Sequence, residues 1–89
     1  DIMVEGHTDD VPMKSATIQD NWDLSVLRAT SVVRYITTEG KMDPTKIIPS
    51  GRSKYVPVNE AKSSEARAEN RRIEIILTPK LDQLMEIVK

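Results

Sequence analysis

Cysteine is absent from this chain of 89 residues. Disulfides, thiolate chemistry and cysteine-ligated zinc are thereby excluded, although the compartment is left open. Phenylalanine is absent too, and the aromatics amount to one Trp and two Tyr, so the core has to come from Ile, Val, Leu and Met. Neither sign of charge is in excess. With 13 basic and 14 acidic residues the net charge is -1, and no bulk field draws nucleic acid or a membrane surface. No apolar run approaches the ~20 residues that span a bilayer, no signal peptide is visible, and there is no repeat or low-complexity tract. The chain opens in a strand without a starting Met, which reads as a piece of something longer. Its length suits one domain with a single small core.

What is present falls into alternating elements. Residues 2 to 5 (Ile2, Met3, Val4) form a short apolar run that reads as a buried strand ending at Gly6. A polar loop follows from 7 to 20. Trp22, Val26, Ala29, Val33 and Ile36 then recur at helical spacing, an apolar stripe that predicts a core-facing helix face. Asp20 or Asn21 can cap it, Asp23 favours its first turn, and Gly40 is a natural stop. Asp43-Pro44 is a turn. Ile47 to Ser50 is a strand that breaks at Gly51, and Pro49 assigns it to a sheet edge. Ser63 or Ser64 starts a short helix over 65–70. Arg72 to Leu77 alternates, with Ile73, Ile75 and Leu77 on one face and Arg72, Glu74 and Ile76 on the other. Leu81, Leu84, Met85 and Val88 are spaced as a closing amphipathic helix. The order β-α-β-α-β-α, with a right-handed crossover between the first two strands, predicts a two-layer α/β (α+β) sandwich with a mixed sheet.

The chemistry concentrates at Val4-Glu5-Gly6-His7-Thr8-Asp9-Asp10-Val11-Pro12 and at the helix that follows. The strand delivers a hydroxyl and two carboxylates at its carboxyl end, and the helix carries Arg28 near its second turn. Opposite charges from a strand end and a helix side suit a zwitterionic ligand. Thr8 and Asp9 could instead only cap a loop. His7 is the single histidine, and Asp9 and Asp10 point apart on an extended segment, so neither a metal site nor acid-base catalysis is expected. No catalytic serine motif surrounds any of the serines. Asn70-Arg71-Arg72 with Arg67 forms a cationic cluster, either a solvated helix end or a source of Arg71 for the cleft that Arg28 faces. These arginines have no aromatic platform for nucleic acid.

Taken together, these stretches resemble the OmpA-like peptidoglycan-binding domain in its MotB-type, flagellar-stator version. The likeness is carried by Val4 to Pro12, by Asn21-Trp22-Asp23-Leu24-Ser25 with Arg28-Ala29 and Ser31-Val32-Val33, by Pro49-Ser50-Gly51-Arg52 and Pro57-Val58, and by Arg67 to Ile75. It implies non-enzymatic, cofactor-free binding of the diaminopimelate residue of cell-wall peptide stems. Asp9 would take the ligand's ammonium and Arg28 its carboxylate. Asn21 and Arg71 would add polar contacts, and Thr8 would shape the same pocket. A periplasmic location in a diderm envelope and a membrane-anchored parent are implied as well. Two other readings are a small hydrolase built on His7 and Asp9 and a purely structural interaction domain.

Two departures accompany the resemblance. Ala66 stands where Gly is common, and the family's first strand and helix are missing before residue 1. The domain is therefore expected over 1–79, followed by a helix over 80–89. The family's strand order of 1-4-2-3 would leave 72–77 as an open edge, through which a homodimer is expected.

Overall fold

The computed structural model describes residues 1–77. The elements run β1 (Ile2–His7), α1 (Asn21–Thr38), a single 3-10 turn (Pro44–Lys46), β2 (Ile47–Gly51), α2 (Ser64–Asn70) and β3 (Arg72–Leu77). The expected boundary at residue 79 and the helix over 80–89 lie outside the described residues. Polar caps start the helices. The Asp20 side chain accepts from the Asp23 amide at 3.0 Å and the Ser63 hydroxyl from the Ala66 amide at 3.1 Å, each satisfying an amide left orphaned at a helix start. The α1 helix ends at Thr38 with Glu39 as its cap, just before the expected stop at Gly40, and the left-handed residue beyond it is Lys41.

The sheet is mixed, with order β2-β1-β3. β1 runs parallel to β2, pairing Ile2 with Ile47 and Gly6 with Gly51. It runs antiparallel to β3, pairing Glu5 with Glu74 and His7 with Arg72. The two-layer α+β architecture and the edge position of the Pro49 strand stand as expected. The core is Val4, Ala29 and Ile47, with Ile2, Val32, Val33, Ile36, Met42 and Ile73 packed against them. Alternation along β1 therefore turns Val4 and Gly6 toward α1, and Glu5 and His7 toward the opposite face.

The predicted helix stripe needs correction at its amino end. Trp22 and Val26 are 48% and 42% exposed, whereas Asn21, Ser25 and Ala29 are buried. The reason is a close approach. A Cβ on Gly6 would collide with the Ser25 carbonyl, and one on Gly51 would meet the Ser25 hydroxyl and Val26. Only a small side chain fits between helix and sheet there, and Ser25 also serves the junction chemically. Its hydroxyl donates to the Trp22 carbonyl at 2.9 Å and accepts the Ser53 amide at 3.1 Å. The Thr8 amide donates to the Ser53 carbonyl at 2.9 Å and the Arg52 amide to the Gly6 carbonyl at 3.0 Å, so strand end, helix start and the 51–53 loop are tied together. Among the described residues no helix is long and apolar enough to cross a membrane.

Gly6→Ala is expected to destabilise the fold by about 1–3 kcal/mol, the range for forcing extra atoms into a filled space. Urea unfolding of the two chains measures it, and coincident midpoints would show that this contact is not tight.

Candidate ligand-binding site

Beyond the end of β1 the chain is held by side-chain to backbone bonds and by ion pairs. The Thr8 hydroxyl donates to the Asp9 carbonyl at 2.9 Å. One Asp9 carboxylate oxygen accepts the Val11 amide at 3.0 Å. From the first residue of α1, the Asn21 amide nitrogen donates to the carbonyls of Asp9 and Val11 at 3.3 and 3.1 Å. Asn21 is thus a pin that fixes the loop, with its amide nitrogen already engaged on protein carbonyls. Its side-chain oxygen is buried without a partner among the described residues.

The second Asp9 oxygen accepts from Arg71 at 2.7 Å. Arg71 follows the last residue of α2, whose frame is set by the buried Asn70. The Asn70 side chain accepts the Val58 and Asn59 amides at 2.9 and 3.2 Å and donates to the Asn59 carbonyl at 2.9 Å. The cationic cluster seen in the sequence therefore divides three ways. Arg71 goes to Asp9 and Arg67 to Asp10. Arg72 turns to the other sheet face, where it meets Glu74 at 2.7 Å and the Val56 carbonyl at 2.8 Å.

Thr8, Asp9, Arg28 and Arg71 come together around a pocket of about 360 Å³, whose remaining wall is Val11, Met13 and Leu24. Of the five residues expected at the site, four line it; Asn21 does not, and acts through the loop it pins. The Arg28 guanidinium has no ion-pair partner among the described residues. Arg71 and Asp9 pair with one another, yet a carboxylate has lone pairs for more than two donors. The cavity thus offers a free cation, a shared anion and an apolar flank. Sequence reasoning missed that flank, although Leu24 sits four residues before Arg28, the spacing that places two side chains on one helix face.

His7 and Asp9 are not brought together. The His7 ring is 1% exposed and lies toward the sheet face opposite α1. Its Nε2 is 2.8 Å from Glu5 and 3.4 Å from Glu74. Carboxylates only accept, so the shorter contact places the proton on Nε2, and buried Nδ1 has no partner among the described residues. Glu5, His7 and Glu74 bring one ligand atom each within 4.8 Å of one another, a grouping that sequence reading also missed because Glu74 arrives by strand pairing. Each of these carboxylates already has an arginine beside it, Arg52 at 3.4 Å from Glu5 and Arg72 at 2.7 Å from Glu74.

A family model described as the OmpA family matches residues 1–71. The chain belongs to the OmpA family. Among curated relatives, Motility protein B of Bacillus subtilis is 37% identical over 79 residues, which are 89% of this chain and 30% of that protein. Outer membrane protein A of Bordetella avium is 39% identical over 74 residues, 83% of this chain and 36% of that protein. The chain spans about a third of the length of these OmpA-family relatives. Among solved structures, the periplasmic domain of Helicobacter pylori MotB superposes with a TM-score of 0.82 at 28% identity, covering 98% of this chain and 53% of that one. A MotB-like protein from Desulfovibrio vulgaris gives 0.75 at 37% identity, covering 83% and 46%. The resemblance read from the motifs is therefore to the right family and to its MotB branch.

One feature of this OmpA-family loop carries a pH dependence. Arg67 and Lys62 lie 2.9 and 3.1 Å from the two Asp10 oxygens. Hydrogen bonds from Arg67 first and Lys62 second lower the Asp10 carboxyl from its ordinary 3.8 to about 2. A carboxyl whose pKa is depressed on folding stabilises the fold above its unfolded value and ceases to as pH falls through the folded one. This contribution is thus complete above pH 3.8 and fades toward about 2. Carbon-13 titration of the Asp10 carboxyl is expected to give a midpoint well below 3.8, moving up in Arg67→Ala. An ordinary midpoint in the unmodified chain would contradict the pairing.

Proposed function

We propose that this domain binds peptidoglycan without turnover, holding the diaminopimelate of a peptide stem in the Asp9–Arg28 pocket. The carrying observation is the convergence of Asp9 and the unpaired Arg28 on one concavity with an apolar flank. An amino-acid head group has an ammonium and a carboxylate a few ångströms apart. Asp9 takes the first and Arg28 the second, so the head group binds in one orientation only. The guanidinium suits this role because its planar fork matches both oxygens of a carboxylate. Val11, Met13 and Leu24 receive the methylenes behind the head group. Each charge-assisted bond contributes roughly 1.5–3 kcal/mol; a few of them, less the cost of association, give the modest affinity that suits an anchor engaging many repeated sites.

The OmpA-family assignment and the MotB structural likeness support an envelope role, with the stem facing a periplasmic domain of a motor stator or related protein. The buried His7, engaged on another face, supports binding over hydrolysis. Assembly belongs to the same reading. β2 contains Pro49, which lacks an amide for a further strand, whereas the outer edge of β3 carries no strand among the described residues. On the α1 side of that strand Ile75 and Leu77 are 53% and 75% exposed. We infer that a second copy pairs along 72–77.

Arg28→Ala is expected to weaken binding of a diaminopimelate-containing tripeptide by about tenfold to a hundredfold, with Arg28→Lys intermediate. Calorimetry reads the affinity. Thermal unfolding is expected to stay unchanged, because the guanidinium has no partner among the described residues. Undiminished binding by the Arg28→Ala chain would favour a purely structural interaction domain instead. For assembly, sedimentation velocity is expected to show dimers that dissociate in Ile75→Lys; a monomer at all concentrations would count against the edge.

A further inference from the structure

Glu5, His7 and Glu74 meet on the sheet face away from α1 and take no part in the stem pocket. Strand geometry brings them together. Glu5 and His7 stand two residues apart on β1 and so share a face, and Glu74 is the β3 partner of Glu5. One ligand atom from each lies within 4.8 Å of the other two. Glu5 and His7 are buried, whereas the Glu74 side chain is 43% exposed and leaves a way in from solvent. The single histidine gave no metal set in the sequence, because antiparallel register supplies the third group.

A tetrahedral ion with bonds of about 2.0–2.2 Å holds its ligand atoms roughly 3.3–3.6 Å apart. His7 Nε2 and the nearer Glu74 oxygen are 3.4 Å apart, long for a hydrogen bond but at that spacing. The 2.8 Å from Nε2 to Glu5 opens to it by a small rotation of the Glu5 side chain. Both carboxylates have outer support of the kind that orients metal ligands. The second Glu5 oxygen faces Arg52 at 3.4 Å, and Arg72 holds Glu74 through two nitrogens, each at 2.7 Å. An imidazole with two carboxylates and no thiolate suits zinc rather than calcium or magnesium, which take oxygen ligands. We propose that Glu5, His7 and Glu74 form a zinc site, bound through His7 Nε2 and one oxygen of each carboxylate, with water in the fourth position. Nδ1, which has no partner among the described residues, takes the ring proton when zinc binds. That unpaired N–H and the two arginine charges keep the affinity moderate. The ion clips β1 to β3 at the strand end from which Thr8 and Asp9 project, and the site does not depend on the stem-binding reading.

Zinc chloride titrated into the 89-residue chain at neutral pH tests it, by calorimetry and by nitrogen-15 NMR of the ring of His7, the single histidine. Uptake of one zinc per chain is expected, with a saturable shift of the Nε2 resonance and a thermal midpoint that rises with zinc concentration. Calcium chloride at the same concentrations is expected to leave the ring resonances in place. Glu74→Gln, a change at a partly exposed side chain, is expected to weaken zinc uptake by at least the roughly tenfold that loss of an outer partner costs. Its circular dichroism without zinc is expected to match that of the unmodified chain. Where that variant fails to fold, the Nε2 shift in the unmodified chain still decides. Absence of zinc uptake, uptake that Glu74→Gln leaves undiminished, or an equal response to calcium overturns the site. Zinc uptake that moves the Thr8 and Asp9 amides and leaves the His7 ring unshifted assigns the ion to the strand-end loop and overturns it too. Each outcome is read in the absence of diaminopimelate, so failure of the stem pocket leaves the test intact.

Discussion

The close approach of α1 to the end of β1 is the constraint on which this domain depends. Gly6 and Gly51 leave no room for a Cβ against Ser25, and that lack of room lets the helix rest on the sheet's backbone. Helix, strand end and the 51–53 loop then share hydrogen bonds through Ser25 and Ser53. A bulkier residue at any of the three positions would lift the helix and carry Arg28 away from Asp9. The packing requirement and the placement of the charges are one geometrical condition.

On that frame the loop from Thr8 to Val11 is held by Asn21 and by the Asp9 carboxylate itself. Asp9 is thereby oriented before any ligand arrives, and Arg71 holds its other oxygen. Orientation fixed in advance lowers the cost of ordering side chains on binding. Arg28 differs, because it lines the pocket with its charge uncommitted among the described residues. The second acidic residue, Asp10, is drawn off to Arg67 and Lys62, which ties α2 to the loop and leaves Asp9 as the carboxylate that faces the cavity among the described residues.

Much of this was legible in the chain. Alternation in 72–77, the Pro at 49 and the Ser and Asp helix starts are local signals with local causes, and the strands and helices they predict are present. The placing of a strand-end carboxylate and a helix-side arginine on one cavity was readable because each element was short and its direction known. What was not readable came from long-range contact. An apolar stripe through Trp22 and Val26 follows from helical periodicity, but the two glycines that bring Ser25 down onto the sheet lie on other elements. Glu74 joins Glu5 and His7 only through antiparallel register. The three-way division of Arg67, Arg71 and Arg72 likewise depends on where α2 sits.

The central claim is that opposite charges in one cavity select a zwitterionic head group. It is tested most directly by nitrogen-15 NMR of the labelled chain titrated with diaminopimelate, with pimelate, which lacks the ammonium groups, and with 1,5-diaminopentane, which lacks the carboxylates. The account predicts saturable shifts of the Thr8 and Asp9 amides and of the Arg28 Nε–H with diaminopimelate, and far weaker ones with either analogue. Equal shifts with all three compounds, or shifts that leave Asp9 and Arg28 untouched, would contradict it.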